Sequence, residues 1–283
     1  MRKCLFFLVV IFMSTCSAGA QETLTWLAVH WPPIQILDGD DRGQGRFDAL
    51  LDIYQKNLPQ YEHKTIVMNW GRFWTELQEG NSQICNMFAI KTPDREEYTE
   101  FSRAISWALP LRVIMRKDTI EKLGNPESLS IINLLEQSDL KGIIVKKRSY
   151  YSILDQHFRD HGANIQKLAI ADKNIIQMLL AGRTDYTIEY PFVVNYLSRE
   201  FEKSYTTELG SIAIEESPEG SSTYIACPKT DWGRKVIRDL DRVLDQVIPT
   251  PEYLQIMQMW HFDPREREAV RKGFEKNLLS TSK

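Results

Sequence analysis

The chain has 283 residues, with 35 lysines and arginines against 38 aspartates and glutamates, a formal charge of −3. The two signs are interspersed and no basic stripe forms, which argues against a nucleic-acid partner. The apolar run near the start is too short to cross a bilayer, which needs about 20 residues, and no later stretch of that length lacks charges.

Residues 1–20 read as a targeting segment: Arg2 and Lys3 are basic, residues 5–13 are apolar, and Ala18-Gly19-Ala20 is a small-residue cleavage signal. The mature chain is expected to begin near Gln21, outside the cytoplasm. Cys16 follows Met13-Ser14-Thr15, a poor match to a lipid-attachment signal, so no lipid anchor is expected. Two cysteines remain, Cys85 and Cys227. In an oxidising compartment they form either a disulfide or two separately buried thiols.

Residues 23–29 alternate and then turn wholly apolar, as in a strand buried on both faces. His30-Trp31-Pro32-Pro33 ends it, and the prolines stiffen the loop that holds Trp31. A polar turn over 38–45 precedes Phe47, Leu50, Leu51, Tyr54 and Leu58 at helical spacing. Its aspartates lack the spacing of a calcium loop, so no metal is expected. After a strand over 64–69, Phe73, Trp74 and Leu77 predict a helix closed by Gly80, and the uncharged run 84–90 a buried strand. Thr92-Pro93 fits the start of another helix, with free backbone N–H groups beside the permanent cation Arg95. That combination suits a carboxylate.

Pro110 interrupts an apolar stretch over 105–115. Beyond it come a short helix over 129–135, a strand over 143–145, a helix over 172–180 and a strand over 186–190. Leu179-Leu180-Ala181-Gly182 before that last strand repeats the Leu77-Gln78-Glu79-Gly80 pattern, which supports two similar lobes. His157 and His161 share a helix face with Asp155 and Asp160 but have no third ligand at metal spacing, so a solvated face is expected. A break at 218–222 precedes a strand over 223–226 and a helix over 234–247. A closing helix from Thr250 towards Trp260 and a charged helix capped by Asp263 and reaching Leu279 complete the chain.

The ordered set Trp70, Leu77, Gly80, Thr92, Arg95, Phe101 and Ser102 resembles family 3 of the bacterial extracellular solute-binding proteins, the polar-amino-acid type that serves ABC importers. Leu140-Lys141-Gly142 with Val145, the Phe47-Asp48 pair and the Gly182 to Asp185 spacing resemble it too. The resemblance implies an α/β fold of periplasmic-binding-protein type II. Its lobes would be 21–110 with 221–283, and 111–220, joined by two crossings. It places Cys85 and Cys227 on neighbouring strands of the first lobe and Trp31 where a ring stacks on the ligand.

Three departures set this chain apart from amino-acid receptors. Ser149-Tyr150-Tyr151-Ser152 replaces a glycine and small hydroxyl residues, and Phe88 and Ile90 replace hydroxyl residues before Thr92. Tyr190 stands where relatives carry the aspartate that holds an ammonium. Glu189 precedes it, and adjacent strand residues face opposite ways, so it does not simply substitute.

The expected ligand set is Arg95, Thr92, Trp31, Trp70, Phe73, Phe88, Tyr151, Ser152, Glu189 and Tyr190, with Tyr150 adding to an aromatic lining. The implied protein is a monomeric periplasmic receptor for a small carboxylate-bearing solute, amino-acid-like or an aromatic acid. It would work without a cofactor and with a membrane permease or membrane receptor as partner. A signalling sensor is the alternative. Catalysis by Glu189 assisted by His30 is weaker, because no set of nucleophile, base and orienting group is visible.

Overall fold

A computed structural model describes residues 21–137, 139–201 and 208–280, Glu200 by its backbone alone. The targeting segment expected over 1–20, with Cys16, lies outside the described residues. In chain order the elements are β1 (Glu22–Ala28), α1 (Arg46–Asn57), β2 (Tyr61–Val67), α2 (Trp70–Glu79), β3 (Ile84–Ala89), α3 (Pro93–Glu96) and β4 (Thr99–Ala108). There follow β5 (Arg112–Arg116), α4 (Lys117–Lys122), β6 (Ser128–Leu129), α5 (Ile131–Glu136), β7 (Gly142–Val145) and α6 (Ser152–Asp160). Next are β8 (Ile165–Leu168), α7 (Asp172–Leu180), β9 (Tyr186–Glu189), α8 (Pro191–Ser198) and β10 (Leu209–Ile214). The chain closes with β11 (Ser221–Pro228), α9 (Asp231–Val247), α10 (Pro251–Met257) and α11 (Pro264–Phe274), prolonged by a π-helical stretch Glu275–Leu279.

Two mixed sheets result, ordered β2-β1-β3-β11-β4 and β6-β10-β5-β9-β7-β8. The first is discontinuous in sequence, because β11 returns to lie antiparallel between β3 and β4. Every strand of the second falls between β4 and β11, so the chain passes between the sheets twice, over 109–111 and 215–220. All six residues of β3 are buried, as its uncharged run predicts for a central strand with helices on both faces. The helix α9 turns Val236, Ile237, Leu240, Val243 and Leu244 into the core. Thr230 caps it, its hydroxyl accepting the Gly233 N–H at 3.1 Å.

Cys85 on β3 and Cys227 on β11 form a disulfide, with Cα atoms 4.4 Å apart. Of the two arrangements open to the pair, the bonded one is realised.

Several segments differ from the sequence-based expectations. The strand expected over 64–69 is β2, which starts at Tyr61 and stops at Val67. The helix opening at Pro93 lasts four residues, and Thr99 to Ser102 already belong to β4. Five elements, α4, β6, β8, α8 and β10, have no counterpart in the expected set. The helix α8 matters to the site because it leans on the first lobe: Tyr196 donates from its hydroxyl to Asp41 at 2.9 Å, and the Phe192 ring lies 4.6 Å from that of His261.

Candidate functional site

Parallel strands bring their carboxyl ends to one edge of a sheet, and α/β proteins bind ligands beyond that edge. Here the segments after β1, β3, β7 and β9 face one another across a narrow cleft of about 50 Å³ that is partly open to solvent.

On the first-lobe side, α2 divides its aromatic residues between two tasks. Phe73, 0 % exposed, and Leu77 point into a core cluster with Leu27, Met68 and Ile84. Trp70 and Trp74, one helical turn apart, line the cleft. Asn69 starts this helix by accepting the Arg72 N–H at 2.9 Å, and Gly80 ends it in the left-handed region at φ 68°. Phe88, at the end of β3, lies 4.7 Å from the Phe47 ring, 5.7 Å from Trp70 and 6.3 Å from Trp31.

Arg95 lines the same cleft. Its Nη1 donates to the Ile90 carbonyl at 2.8 Å, and its guanidinium sits 3.9 Å from the centroid of the Trp74 ring. No carboxylate pairs with it among the described residues; the ion pair beside it joins Lys91 to Glu96 at 3.0 Å. Burial lowers its pKa, opposed by the charges of Tyr98, Asp155 and Asp94, yet a guanidinium stays protonated at neutral pH. Two of the N–H groups expected to be free beside it are used within the turn: those of Arg95 and Glu96 both donate to the Thr92 carbonyl at 3.0 Å.

From the second lobe, the loop after β7 delivers Lys147, Arg148 and Ser149 to the cleft. Two bulky residues hold this loop in left-handed backbone conformations, Lys147 at φ 68° and Tyr151 at φ 72°. Asp155 supports it from α6, accepting the Tyr150 N–H at 2.8 Å and the Ser149 hydroxyl. The Val145 N–H donates to the Tyr150 hydroxyl at 2.9 Å, which turns that ring back into its own lobe.

Arg148 is almost fully buried and pairs with Glu189 through both terminal nitrogens, one contact being 2.8 Å, and with Asp172 at 3.2 Å. Its guanidinium also lies 4.4 Å from the Trp31 ring centroid. Burial works most strongly against its charge, but Glu189, Tyr150 and Asp172 together outweigh it and hold the pKa well above the ordinary value. Burial, and then the charge of Glu189, push Asp172 up to about 7.

Of the ten expected ligand residues, the structure brings Trp31, Trp70, Phe88, Arg95 and Tyr190 together around the cleft. Thr92 and Ser152 border the outer groove into which it widens past Trp74 and Arg95. Three sit elsewhere. Phe73 is core because its helix needs a buried face. Tyr151 lies behind Tyr190, their hydroxyls 2.8 Å apart. Glu189, 2 % exposed, is neutralised by Arg148 and also accepts the Tyr190 N–H at 2.7 Å. His30 is bound to Asp38 at 3.2 Å and accepts the Leu37 N–H, so it is engaged apart from Glu189.

Trp74, Lys147, Arg148 and Arg46, none of them in the expected set, also line the cleft. The signal for two of them was the basic run Lys146-Lys147-Arg148 directly after a buried strand, the edge where parallel sheets place ligands.

No protein-family profile matches the chain, and no curated protein aligns with it significantly. Solved structures do match. A chain solved in work on glutathione import in Gram-positive bacteria via GshT and the cystine ABC importer TcyBC of Streptococcus mutans superposes with a TM-score of 0.67 at 13% identity. That match covers 85% of this chain and 95% of the other. A putative L-cystine ABC transporter protein from Listeria monocytogenes gives 0.65 at 18%, covering 84% and 95%. A histidine kinase sensor domain with similarity to periplasmic binding proteins gives 0.66 at 15%, covering 86% and 96%. The chain thus has the two-lobed fold of the type II periplasmic binding proteins, with its aromatic and cationic cleft between the lobes.

Proposed function

We propose that this protein is a periplasmic solute-binding protein that takes a small organic acid into the cleft, closes its lobes around it and delivers it to an ABC importer. The observation that carries this reading is Arg95, a half-buried cation with no carboxylate partner among the described residues, stacked on Trp74 at the cleft wall. Tyr190 and the Arg148–Glu189 pair leave no carboxylate in the cleft lining to take an ammonium, which supports an acid without an amino group. The rings of Trp31, Trp70 and Phe88 favour a flat or apolar body. The crossings at 109–111 and 215–220 serve as the hinge, and the ligand stabilises the closed state by contacting both lobes.

A charge-assisted bond of this kind is worth roughly 1.5–3 kcal/mol, so Arg95→Ala is expected to weaken binding by about one to two decades. Thermal-shift screening of organic and aromatic acids, followed by titration calorimetry on both proteins, measures this. Unchanged affinity in the variant overturns the assignment. The sensor-domain neighbour supports a second reading, a receptor for a membrane signalling partner. Cells lacking the protein distinguish the two: lost uptake of the bound acid supports transport, and intact uptake with a lost transcriptional response supports sensing.

A further inference from the structure

Arg46 is a further cation on the same cleft, more deeply buried than Arg95, and the binding role proposed above does not use it. It opens α1 and is only 3 % exposed. Its Nη1 donates to the Met257 carbonyl at 3.3 Å, its Nε is buried without a hydrogen-bond partner, and no carboxylate pairs with it among the described residues. Its guanidinium lies 5.7 Å from the Phe47 ring and 5.4 Å from the Phe192 ring, so aromatic faces replace a counter-ion. A guanidinium with an unmet donor is costly to bury, and such a group waits for an acceptor.

A row of rings connects the two cations. Phe47 beside Arg46 contacts Phe88, and Phe88 contacts Trp70. Trp74, one turn further along the same helix, carries Arg95. The charges agree with this layout. Arg46, Arg95, Lys147 and Arg148 line the cleft, no carboxylate lines it, and Glu189 and Asp172 stand behind Arg148.

We propose that Arg46 and Arg95 bind the two ends of one ligand, a dianionic organic acid whose acid groups are separated by a flat apolar body. This rests on the solute-binding reading above and narrows it from acids to diacids. Burial lowers the pKa of Arg46 to about 10, which leaves it charged at neutral pH.

The test is calorimetry of the mature protein with matched pairs of probes: benzoate against terephthalate, phenylacetate against para-phenylenediacetate, and biphenyl carboxylate against its para,para-dicarboxylate. The three spacings span different separations of the acid groups. For at least one pair, the diacid is expected to bind about tenfold or more tightly than its monoacid, which is the worth of one further charge-assisted bond. Arg46→Met is expected to bring the diacid down to the affinity of the monoacid, and Arg46→Lys to keep part of the preference. Circular dichroism checks that both variants are folded; if Arg46→Met does not fold, the wild-type ratio and Arg46→Lys decide. Equal affinities within every pair, or a preference that survives Arg46→Met, overturns the proposal. Monoacid binding that depends on Arg95 leaves the solute-binding reading standing in that case. No binding by any probe overturns both.

Discussion

Arg148 shows what it takes to keep charge inside the second lobe. It meets Glu189 and Asp172 in a site where Glu189 is 2 % exposed, so each partner's desolvation is offset only while the others are present. Replacing such a pair with apolar groups is often nearly neutral, whereas removing one member strands the other. Arg148→Met is therefore expected to lower stability by about 3–5 kcal/mol in urea unfolding, and adding Glu189→Gln to recover most of that loss. If the single and double variants are equally unstable, the pair is not the source. At Arg95 the same reasoning has the opposite sense: the charge lies at the cleft wall with a ring as partner, and under the proposed function its counter-ion comes from the ligand.

At the level of elements, α9 approaches β11 so closely that a side chain at Gly233 has no room. A Cβ there would lie 1.9 Å from the Pro228 carbonyl oxygen, and backbone yields less easily than a side chain. Gly233→Ala is expected to push the helix off the sheet and cost about 1–3 kcal/mol, read from the midpoint of chemical unfolding. The elements also show which parts of the fold were legible. α2 was readable because Phe73 and Leu77 recur at helical spacing and Gly80 stops the helix, and β3 because six buried residues leave an uncharged run. The helix α8 was not: Phe192, Val193, Val194 and Leu197 form an apolar run with little periodicity, which sequence alone cannot separate from a strand. The site was half legible for a similar reason. Arg95 sits in a motif, while the place of Arg148 depends on β7 and β9 being neighbours, and that of Arg46 on Met257 far along the chain. Pairings of that kind are set by topology, and local pattern does not encode them.

For the molecule as a whole, Asp172 links stability to pH. Its pKa stands at about 7 in the fold against the ordinary 3.8, so between those values the folded chain holds a proton that the unfolded chain has released. Stability from this group is present at the acid end of the window and is lost as pH rises towards 7. Asp172→Asn removes the titration. The melting temperature of the wild type relative to the variant is expected to fall from about pH 4 to about pH 7 and then to level off; a flat difference contradicts the assignment. The two lobes share this linkage, since Arg148 joins Asp172 and Glu189 to the Trp31 ring across the cleft.

The bond between Cys85 and Cys227 spans 142 residues and encircles the complete second sheet, because every strand from β5 to β10 lies between the two cysteines. The second lobe is thus a closed ring of polypeptide hung from the first. A protease that cuts the ring once, anywhere along it, opens the loop without separating the pieces. Such nicked protein is expected to migrate as a single species on a denaturing gel without reductant and to split into two bands once thiol is added. Two bands without reductant would show that the ring is not closed.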